Sequence, residues 1–451
     1  MLASAIAESR EVWQTGEVHP KIACISDPNQ SYALYLPTSY HVGKPTPVVF
    51  IFEPLARGPV PVKIAQDAAE KYGYILIASN NSRNGPFGPQ TEAAQAMWKD
   101  AHERFSIEAK RTYLAGFSGG SRMAVMFASR CEGCAAGVIA SGAAFTSGLD
   151  PKSVPKFRYF GAIGYEDFNF PEYLQIEPKL KEAGWSYHIR RFDGPHEWAT
   201  ADVWLEAFEW FNLQAMKSGT LPKDEKAIAD AYSRALARAT GQPNDLERYR
   251  GYSQASQDFY GLTNISDAAK QAAALEGSKT VKDLARRERR DSEDQYRLAG
   301  QITSALDGLK DPDTRADASH QLRTLFDSLR TMAKNDKDPR QQLIAKRALM
   351  QEFIYTYETG EDLIRRKDYT NALLLYDTIV ANAKMAPGAH LQKSRIYLLM
   401  GDKKRALAEA QLAVKDGIND PENFNEPEFA ALKSDPEFKA LLDSLHPTKA
   451  E

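Results

Sequence analysis

Ser118 stands in the run Thr112-Tyr113-Leu114-Ala115-Gly116-Phe117-Ser118-Gly119-Gly120-Ser121-Arg122-Met123-Ala124, where a strand-type stretch passes through glycines directly into a helix-type stretch. A serine hydroxyl is a poor nucleophile unless it is held exposed beside a base, and a sharp strand-to-helix turn does that holding. Such a turn needs glycines because its backbone neighbours crowd it. The chemistry this predicts is attack by the Ser118 oxygen on a carbonyl carbon, with a histidine taking the proton and a carboxylate fixing the histidine.

Two segments further along offer the partners. The strand-type run Phe157 to Gly164 ends in Tyr165-Glu166-Asp167-Phe168-Asn169, and Tyr187 to Phe192 ends in Asp193-Gly194-Pro195-His196-Glu197-Trp198. His196 lies in a Gly-Pro loop that opens a helix, so its imidazole can reach over the sheet. His188 falls inside a strand, His102 precedes Ser118, and His320, His390 and His446 belong to the helical half, so His196 is the predicted base. Asp193 is too near His196 in sequence to reach its Nδ1 comfortably and is expected to shape the turn. Glu166 and Asp167 both remain open as the acid on position alone.

Charge developing on the attacked oxygen requires two N–H donors. Gly119, next after the nucleophile, is one. The second is expected from the loop Glu53-Pro54-Leu55-Ala56-Arg57-Gly58 after the strand Pro47 to Phe52. Pro54 has no N–H, which leaves Leu55, with Ala56 behind it. Phe117, Phe145, Phe168 and Trp198 adjoin these positions and are expected to form an aromatic, substrate-binding floor.

The elements that must position these residues are legible as apolar runs: Ser31 to Pro37, Pro47 to Phe52, Tyr74 to Ser79, Thr112 to Phe117, Ala136 to Ser141, Tyr159 to Gly164 and Tyr187 to Phe192. Helical stretches, including Thr91 to Phe105 and Ser121 to Arg130, lie between several of them. Continuous apolar strands separated by helices predict a doubly wound, mostly parallel α/β sheet, with its site beyond the carboxyl ends of the strands. Only the stretch 143–156 separates two of these strands, too little for a large helical cap, so an open site is expected.

Near Lys217-Ser218-Gly219-Thr220-Leu221-Pro222 the strands stop and charged helix formers take over. This divides the chain into an N-terminal extension (1–20), a catalytic domain (21–216), a linker (217–224), a helical region (225–350) and a repeat region (351–451). In the last, Gly360, Tyr369, Ala372 and Tyr376 are followed 34 positions later by Ser394, Lys403, Ala406 and Ala410. That period resembles tetratricopeptide (TPR) helix pairs, whose known use is holding a protein partner.

With 451 residues the chain is long enough for two or three domains, and a net charge of -3 gives no general attraction to nucleic acid or anionic membrane. No apolar run approaches the roughly 20 residues that span a bilayer. The segment Met1 to Ala7 lacks a full secretory signal; it fits either a frayed start or the remnant of an export signal. Three cysteines make no disulfide framework, and Cys131-x-x-Cys134 without a second ligand pair is read as a thiol pair or one local disulfide, not a metal site. No cofactor is expected. The basic run Arg286 to Arg290 is read as a salt-bridged helix face through Arg287–Asp291 and Arg290–Asp294. Ser266 is read as a helix N-cap rather than part of a glycosylation site.

Residues 20–215 resemble bacterial esterases of the α/β-hydrolase superfamily, in the neighbourhood of polyhydroxybutyrate depolymerases, feruloyl esterases and dienelactone hydrolases. The resemblance rests on Asp27-Pro28-Asn29-Gln30-Ser31-Tyr32-Ala33-Leu34-Tyr35-Leu36-Pro37, the Gly116-Phe117-Ser118-Gly119-Gly120 elbow, and Asp167-Phe168-Asn169. It implies the chain order serine, acid, histidine, and it favours Asp167 over Glu166 because the acid precedes the Phe-Asn pair. Where many relatives carry His-Gly after the strand corresponding to Pro47 to Phe52, this chain carries Glu53-Pro54. The activity implied is hydrolysis of a carboxylic ester, small or polymeric, through an acyl-enzyme. A peptidase on the same fold and a repeat scaffold with a vestigial hydrolase half are the alternatives. The first usually needs a large leading domain, and the second is opposed by the intact Ser118, Asp167 and His196.

Overall fold

The computed structural model describes residues 13–445 apart from 147, 310 and 383–385. The expected N-terminal extension lies outside the described residues up to position 12, as does His446. The chain forms two compact units, 1–292 and 293–451, and the division falls within one long helix.

The first unit is built on eight strands: β1 (Val18–Ala23), β2 (Ser31–Tyr35), β3 (Thr46–Phe52), β4 (Ile75–Ser79), β5 (Ile107–Phe117), β6 (Gly137–Ser141), β7 (Arg158–Gly164) and β8 (Tyr187–Phe192). Their order is β1-β2-β4-β3-β5-β6-β7-β8; β2 runs antiparallel to both neighbours and the rest are parallel. This is the doubly wound sheet of the α/β-hydrolase fold. β3 shows why its sequence is continuously apolar. Val48, Phe50 and Phe52 enter the core on one face, and Val49 and Ile51 enter the core on the other. With period-2 alternation and helices on both sides, no position is left for a polar residue.

Helices α1 (Pro59–Tyr72), α2 (Phe87–Arg104), α3 (Gly119–Arg130), α4 (Phe170–Glu182) and α5 (Ala201–Lys217) cover the sheet. α1 and α5 pack on one face through Val62, Ala65, Trp204, Phe208 and Phe211; α2, α3 and α4 pack on the other through Met97, Val125 and Tyr173. β1 was not legible in the sequence: Pro20 interrupts it and most of it is exposed or half-buried, as edge strands allow. It takes in Val18 to Pro20, so the expected extension ends before residue 20.

The predicted boundary at 217–224 is not where the compact unit ends. Thr220 and Leu221 fold back to donate to Ala215 O, and α6 (Glu225–Thr240), α7 (Asp245–Phe259) and α8 (Ser266–Glu276) belong to the first unit. Leu213, Ile228, Ala231, Phe259 and Leu262 share one apolar cluster. Gln254 and Gln257 on α7 both donate to Tyr187 O on the edge strand β8 at 2.9 Å. An open strand edge invites pairing with another chain, and here helix side chains cover it. The composition shift marks the end of the strands, not the end of the folding unit.

Further along, Arg286 pairs with Asp283 and Glu288 with Arg250 of α7, while Asp294 pairs with Arg297 and Arg340. Ser266 is the first residue of α8 and not its N-cap: that position is Ile265, which makes no side-chain cap bond, while Asn264 Oδ1 accepts the Ser266 N–H at 3.0 Å. Cys131 and Cys134 form a disulfide just past α3.

α9 (Lys279–Gly308) leads into the second unit, which is helical: α10 (Arg315–Ala333), α11 (Pro339–Arg365), α12 (Tyr369–Asn382), α13 (Pro387–Leu399), α14 (Lys403–Lys415), two short 3-10 turns and α15 (Pro436–Asp443). α11 runs unbroken through the expected boundary at 350. α12 and α14 begin 34 residues apart, at the predicted repeat. Each follows a left-handed residue and an aspartate: Lys367 (φ 61°) before Asp368, and Gly401 (φ 81°) before Asp402. Each aspartate accepts from the N–H three residues on, Asn371 at 3.3 Å and Arg405 at 3.0 Å. Gly360 lets α11 and α12 approach; a methyl group there would lie 1.9 Å from the Tyr376 hydroxyl.

Candidate active site

Ser118 sits between the end of β5 and the start of α3 with φ 53° and ψ −119°. A non-glycine residue held there costs on the order of 1–3 kcal/mol and persists only where its surroundings enforce it. They do so by exclusion. A methyl group on Gly116 would lie 2.1 Å from Gly120 O, one on Gly120 would lie 2.0 Å from Phe52 O, and one on Gly119 would lie 1.9 Å from Asn84 Oδ1. The Ser118 N–H donates to Ser141 O on β6 at 2.8 Å, which fixes the elbow to the sheet.

The structure brings Ser118, His196 and Asp167 into one hydrogen-bonded chain. His196 Nε2 lies 2.9 Å from Ser118 Oγ, and Nδ1 lies 2.9 Å from Asp167 Oδ2. An ionised carboxylate can only accept, so Nδ1 carries the proton and Nε2 presents its lone pair to the serine hydroxyl. Asp167 is fully buried, and burial pushes its carboxyl above the ordinary range while His196 and the Asn169 N–H pull against that rise. The Asn169 N–H donates to Asp167 Oδ1 at 2.8 Å, and Asn169 Nδ2 donates to Gly142 O at 2.8 Å. Glu172, one turn on, accepts from the Ala144 N–H at 3.0 Å and pairs with Arg122 of α3. The loop bearing the acid is thereby tied both to the loop after β6 and to the helix behind the serine. Glu166 is half-buried, and its N–H donates to Gly194 O at 2.9 Å, which ties the β7 and β8 loops together.

The four aromatic residues are not assembled into one floor. Phe117 and Phe168 flank the His196 ring, with centroids 4.6 and 4.4 Å away. Trp198 is buried against Phe117 at 5.4 Å, a layer further in. Phe145 packs in the core against Phe157, Tyr159 and Trp185. Phe168 is the least buried of the four. Between β6 and β7 the described residues form turns and no helix, so no cap is built there.

Gly119 opens α3, where the first amides of a helix have no intrahelical partner. The expectation for Leu55 meets an obstacle: its N–H donates to Glu53 Oε2 at 2.6 Å. In the sequence Glu53 stood out only as part of the Glu53-Pro54 that replaces His-Gly, and Asn84 not at all. Glu53 is a fully buried carboxylate and Asn84 lies in a loop without periodicity, so only the fold reveals what they touch.

A cavity of about 80 Å³ lies apart from this triad, between β8 and helices α5, α6 and α7. It contains a second histidine with acidic partners. His188 Nδ1 is 2.8 Å from Asp258 Oδ2 and Nε2 is 3.2 Å from Glu206 Oε1. Burial opposes the charge on this imidazole, but the two carboxylates outweigh it and push His188 up to about 9. With a carboxylate at each nitrogen, the ring has no lone pair for a hydroxyl proton. Its place is in packing, not in chemistry of the Ser118 kind. Among the described residues no group of three His, Cys, Asp or Glu side chains could hold a metal ion, and no helix is long and apolar enough to cross a membrane.

No protein-family model matches the sequence, and no curated protein matches it either. Among solved structures the chain is similar to S-formylglutathione hydrolase from Staphylococcus aureus, at 14% identity over 44% of this chain and 96% of that one, with a TM-score of 0.35. It is also similar to a ferulic acid esterase (16% identity, 42% and 94% covered, TM-score 0.35). A third likeness is to a hyperthermophilic esterase from the archaeon Pyrobaculum calidifontis (13% identity, 46% and 87% covered, TM-score 0.36).

Proposed function

We propose that this α/β-hydrolase-fold chain is a serine hydrolase of carboxylic esters. The observation that carries the reading is the hydrogen-bonded chain from Ser118 through His196 to Asp167, on a strained elbow at the carboxyl ends of the strands. Ser118 Oγ adds to the ester carbonyl as its proton passes to His196 Nε2. Asp167 keeps the imidazole in the tautomer that can accept that proton and stabilises the imidazolium that results. The tetrahedral intermediate collapses, His196 protonates the departing alcohol, and an acyl group stays on Ser118. Water, deprotonated by the same imidazole, then releases the acid. The Gly119 N–H, at the positive end of α3, faces the developing oxyanion.

The absence of a helix between β6 and β7 among the described residues supports an ester presented on a bulky or polymeric substrate, of feruloyl or polyester type, over one enclosed in a pocket. Phe168, beside His196 and only partly buried, is the aromatic surface such a substrate would meet. The helical hairpins at 34-residue spacing in the second unit suit a TPR-like role in holding a protein partner.

The test is fluorophosphonate labelling read by intact mass, alongside hydrolysis of p-nitrophenyl butyrate. Wild type is expected to take one label and to turn over, and Ser118→Ala to lose the label and several orders of magnitude in rate. Turnover by Ser118→Ala within about tenfold of wild type overturns the assignment.

A further inference from the structure

Asp167 must stay ionised and in reach of His196 although it is fully buried. Its carboxylate accepts from the His196 ring at Oδ2, 2.9 Å away, and from the Asn169 N–H at Oδ1, 2.8 Å away. The second bond holds the acid from behind, and the Asn169 side chain fixes the residue that makes it. Asn169 is itself buried, and its Nδ2 donates to Gly142 O at 2.8 Å, across 27 residues of chain. A carbonyl can only accept, so the amide must face it with its NH₂.

An asparagine at the start of a helix ordinarily turns its side chain onto that helix. Asn169 stands at the N-cap of α4 and makes no such bond. The first turn does not call for it: the Phe170 N–H donates to Asp167 O at 3.0 Å, Pro171 has no N–H, and the Glu172 N–H donates to Asn169 O at 2.9 Å. The side chain serves a contact outside its own helix instead. Gly142 is a firm anchor for it. The Gly142 N–H donates to Ala162 O at 2.9 Å, and the preceding residue, Ser141, accepts the Ser118 N–H at 2.8 Å. Consecutive carbonyls at the end of β6 thus hold the backbone of the nucleophile and, through Asn169, the acid. A methyl group on Gly142 would lie 2.4 Å from Phe117 Cε2 and 3.4 Å from Asp167 Oδ2, so this backbone passes directly against the triad.

We infer that Asn169 is a positioning residue for the Ser118 reaction: anchored on Gly142 O, it holds the Asp167 carboxylate on His196 through its own N–H. The inference rests on the ester-hydrolase reading of Ser118. The charged and titratable groups around Asp167 are His196 beyond β8 and Glu172 and Tyr173 of α4, with Arg122 of α3 paired to Glu172. Burial favours the protonated acid, and His196 and the Asn169 N–H oppose it. Loosening Asn169 therefore makes the Asp167–His196 pair easier to protonate, which moves the acid limb of kcat/KM to higher pH.

Hydrolysis of p-nitrophenyl butyrate by the full chain, with rates expressed per site labelled by fluorophosphonate, tests it. Displacing a reacting group by about 1 Å costs on the order of 10²-fold. Asn169→Ala is expected to lose about 10- to 100-fold in kcat, with KM little changed and the acid limb raised. Asn169→Ser keeps a favoured cap for α4, but its hydroxyl reaches one bond less far and leaves Gly142 O without its donor. It is expected to fold and to show the same two changes, and it carries the test if Asn169→Ala fails to fold. A merely structural role would lower the unfolding temperature and leave kcat per labelled site and the acid limb where they are. A folded variant that keeps kcat within about twofold of wild type, or whose acid limb does not move, overturns the assignment. A wild type that neither labels with fluorophosphonate nor hydrolyses overturns the Ser118 reading, and this inference with it.

Discussion

Replacing His188 by glutamine should flatten the pH dependence of unfolding between pH 7 and 9. His188 on β8 is flanked by Asp258 of α7 and Glu206 of α5; Arg190 of β8 and Arg238 of α6 reach the same Glu206 at 3.1 and 2.9 Å. Trp210 Nε1 and Gln254 Nε2 donate to the other Asp258 oxygen at 2.7 and 2.9 Å. The imidazole is thus the cation that fastens the edge strand to two helices. Its folded pKa of about 9, against an ordinary 6.5, means that the folded state holds the proton more tightly than the unfolded chain. The stabilisation is therefore complete below pH 6.5 and is lost as pH rises through 9. At about 1.36 kcal/mol per pH unit, the full effect is on the order of 3 kcal/mol, and about 2 kcal/mol of it disappears between pH 7 and 9. Glu206, held down to about 2, does not titrate in that window.

Urea unfolding followed by tryptophan fluorescence, at half-unit steps from pH 6 to 10, measures this directly. Trp210, which bonds Asp258, is a reporter inside the network. His188→Gln should be less stable than wild type at pH 6.5 by several kcal/mol, since the buried Asp258 loses its histidine cation and Glu206 keeps only Arg190 and Arg238. The gap should narrow by about 2 kcal/mol by pH 9. A gap that stays constant across the window would show that His188 is neutral in the folded chain, and the account of how α7 is held on β8 would fall.

Two more outcomes follow from the same geometry. Asp167→Asn should lower kcat for p-nitrophenyl butyrate by about 10⁴-fold, because the amide favours the wrong imidazole tautomer, while Glu166→Gln should stay near wild type; the reverse result would move the acid by one residue. A chain ending at Gly277 should elute as a monomer and keep its hydrolysis, whereas one ending at Leu213 uncovers β8 and strips Asp258 from His188, and should aggregate. A soluble, active chain ending at Leu213 would show that α6 to α8 are dispensable for folding.

The parts of this fold that were legible in the sequence are those where one local requirement dictates residue type. β3 is buried on both faces and is apolar throughout; the elbow needs small residues at 116, 119 and 120. The 34-residue repeat was visible because two helix starts use the same device, a left-handed residue followed by a capping aspartate. What was not legible depends on contacts distant in sequence. That the first compact unit continues past 217–224 was not visible because His188 and Asp258, 70 residues apart, look like unrelated surface charges until β8 and α7 meet. Phe145 was read as part of the site from its neighbours in sequence, and the fold turns it toward Trp185.

The same distinction accounts for the oxyanion donor. A loop amide is a donor in every sequence, so Leu55 was a natural choice from its position after β3. Whether that amide is available depends on Glu53, two residues earlier, and a buried glutamate is hard to anticipate where solvent would ordinarily take it. Once it is buried, charge balance brings in Arg57, and hydrogen bonding engages the amides of Leu55 and Arg57. The loop becomes rigid, but its polarity now points at Glu53 and not at the substrate. The rigidity of this loop is a consequence of a single residue, the glutamate after β3, which the fold buries and the neighbouring amides and Arg57 then satisfy.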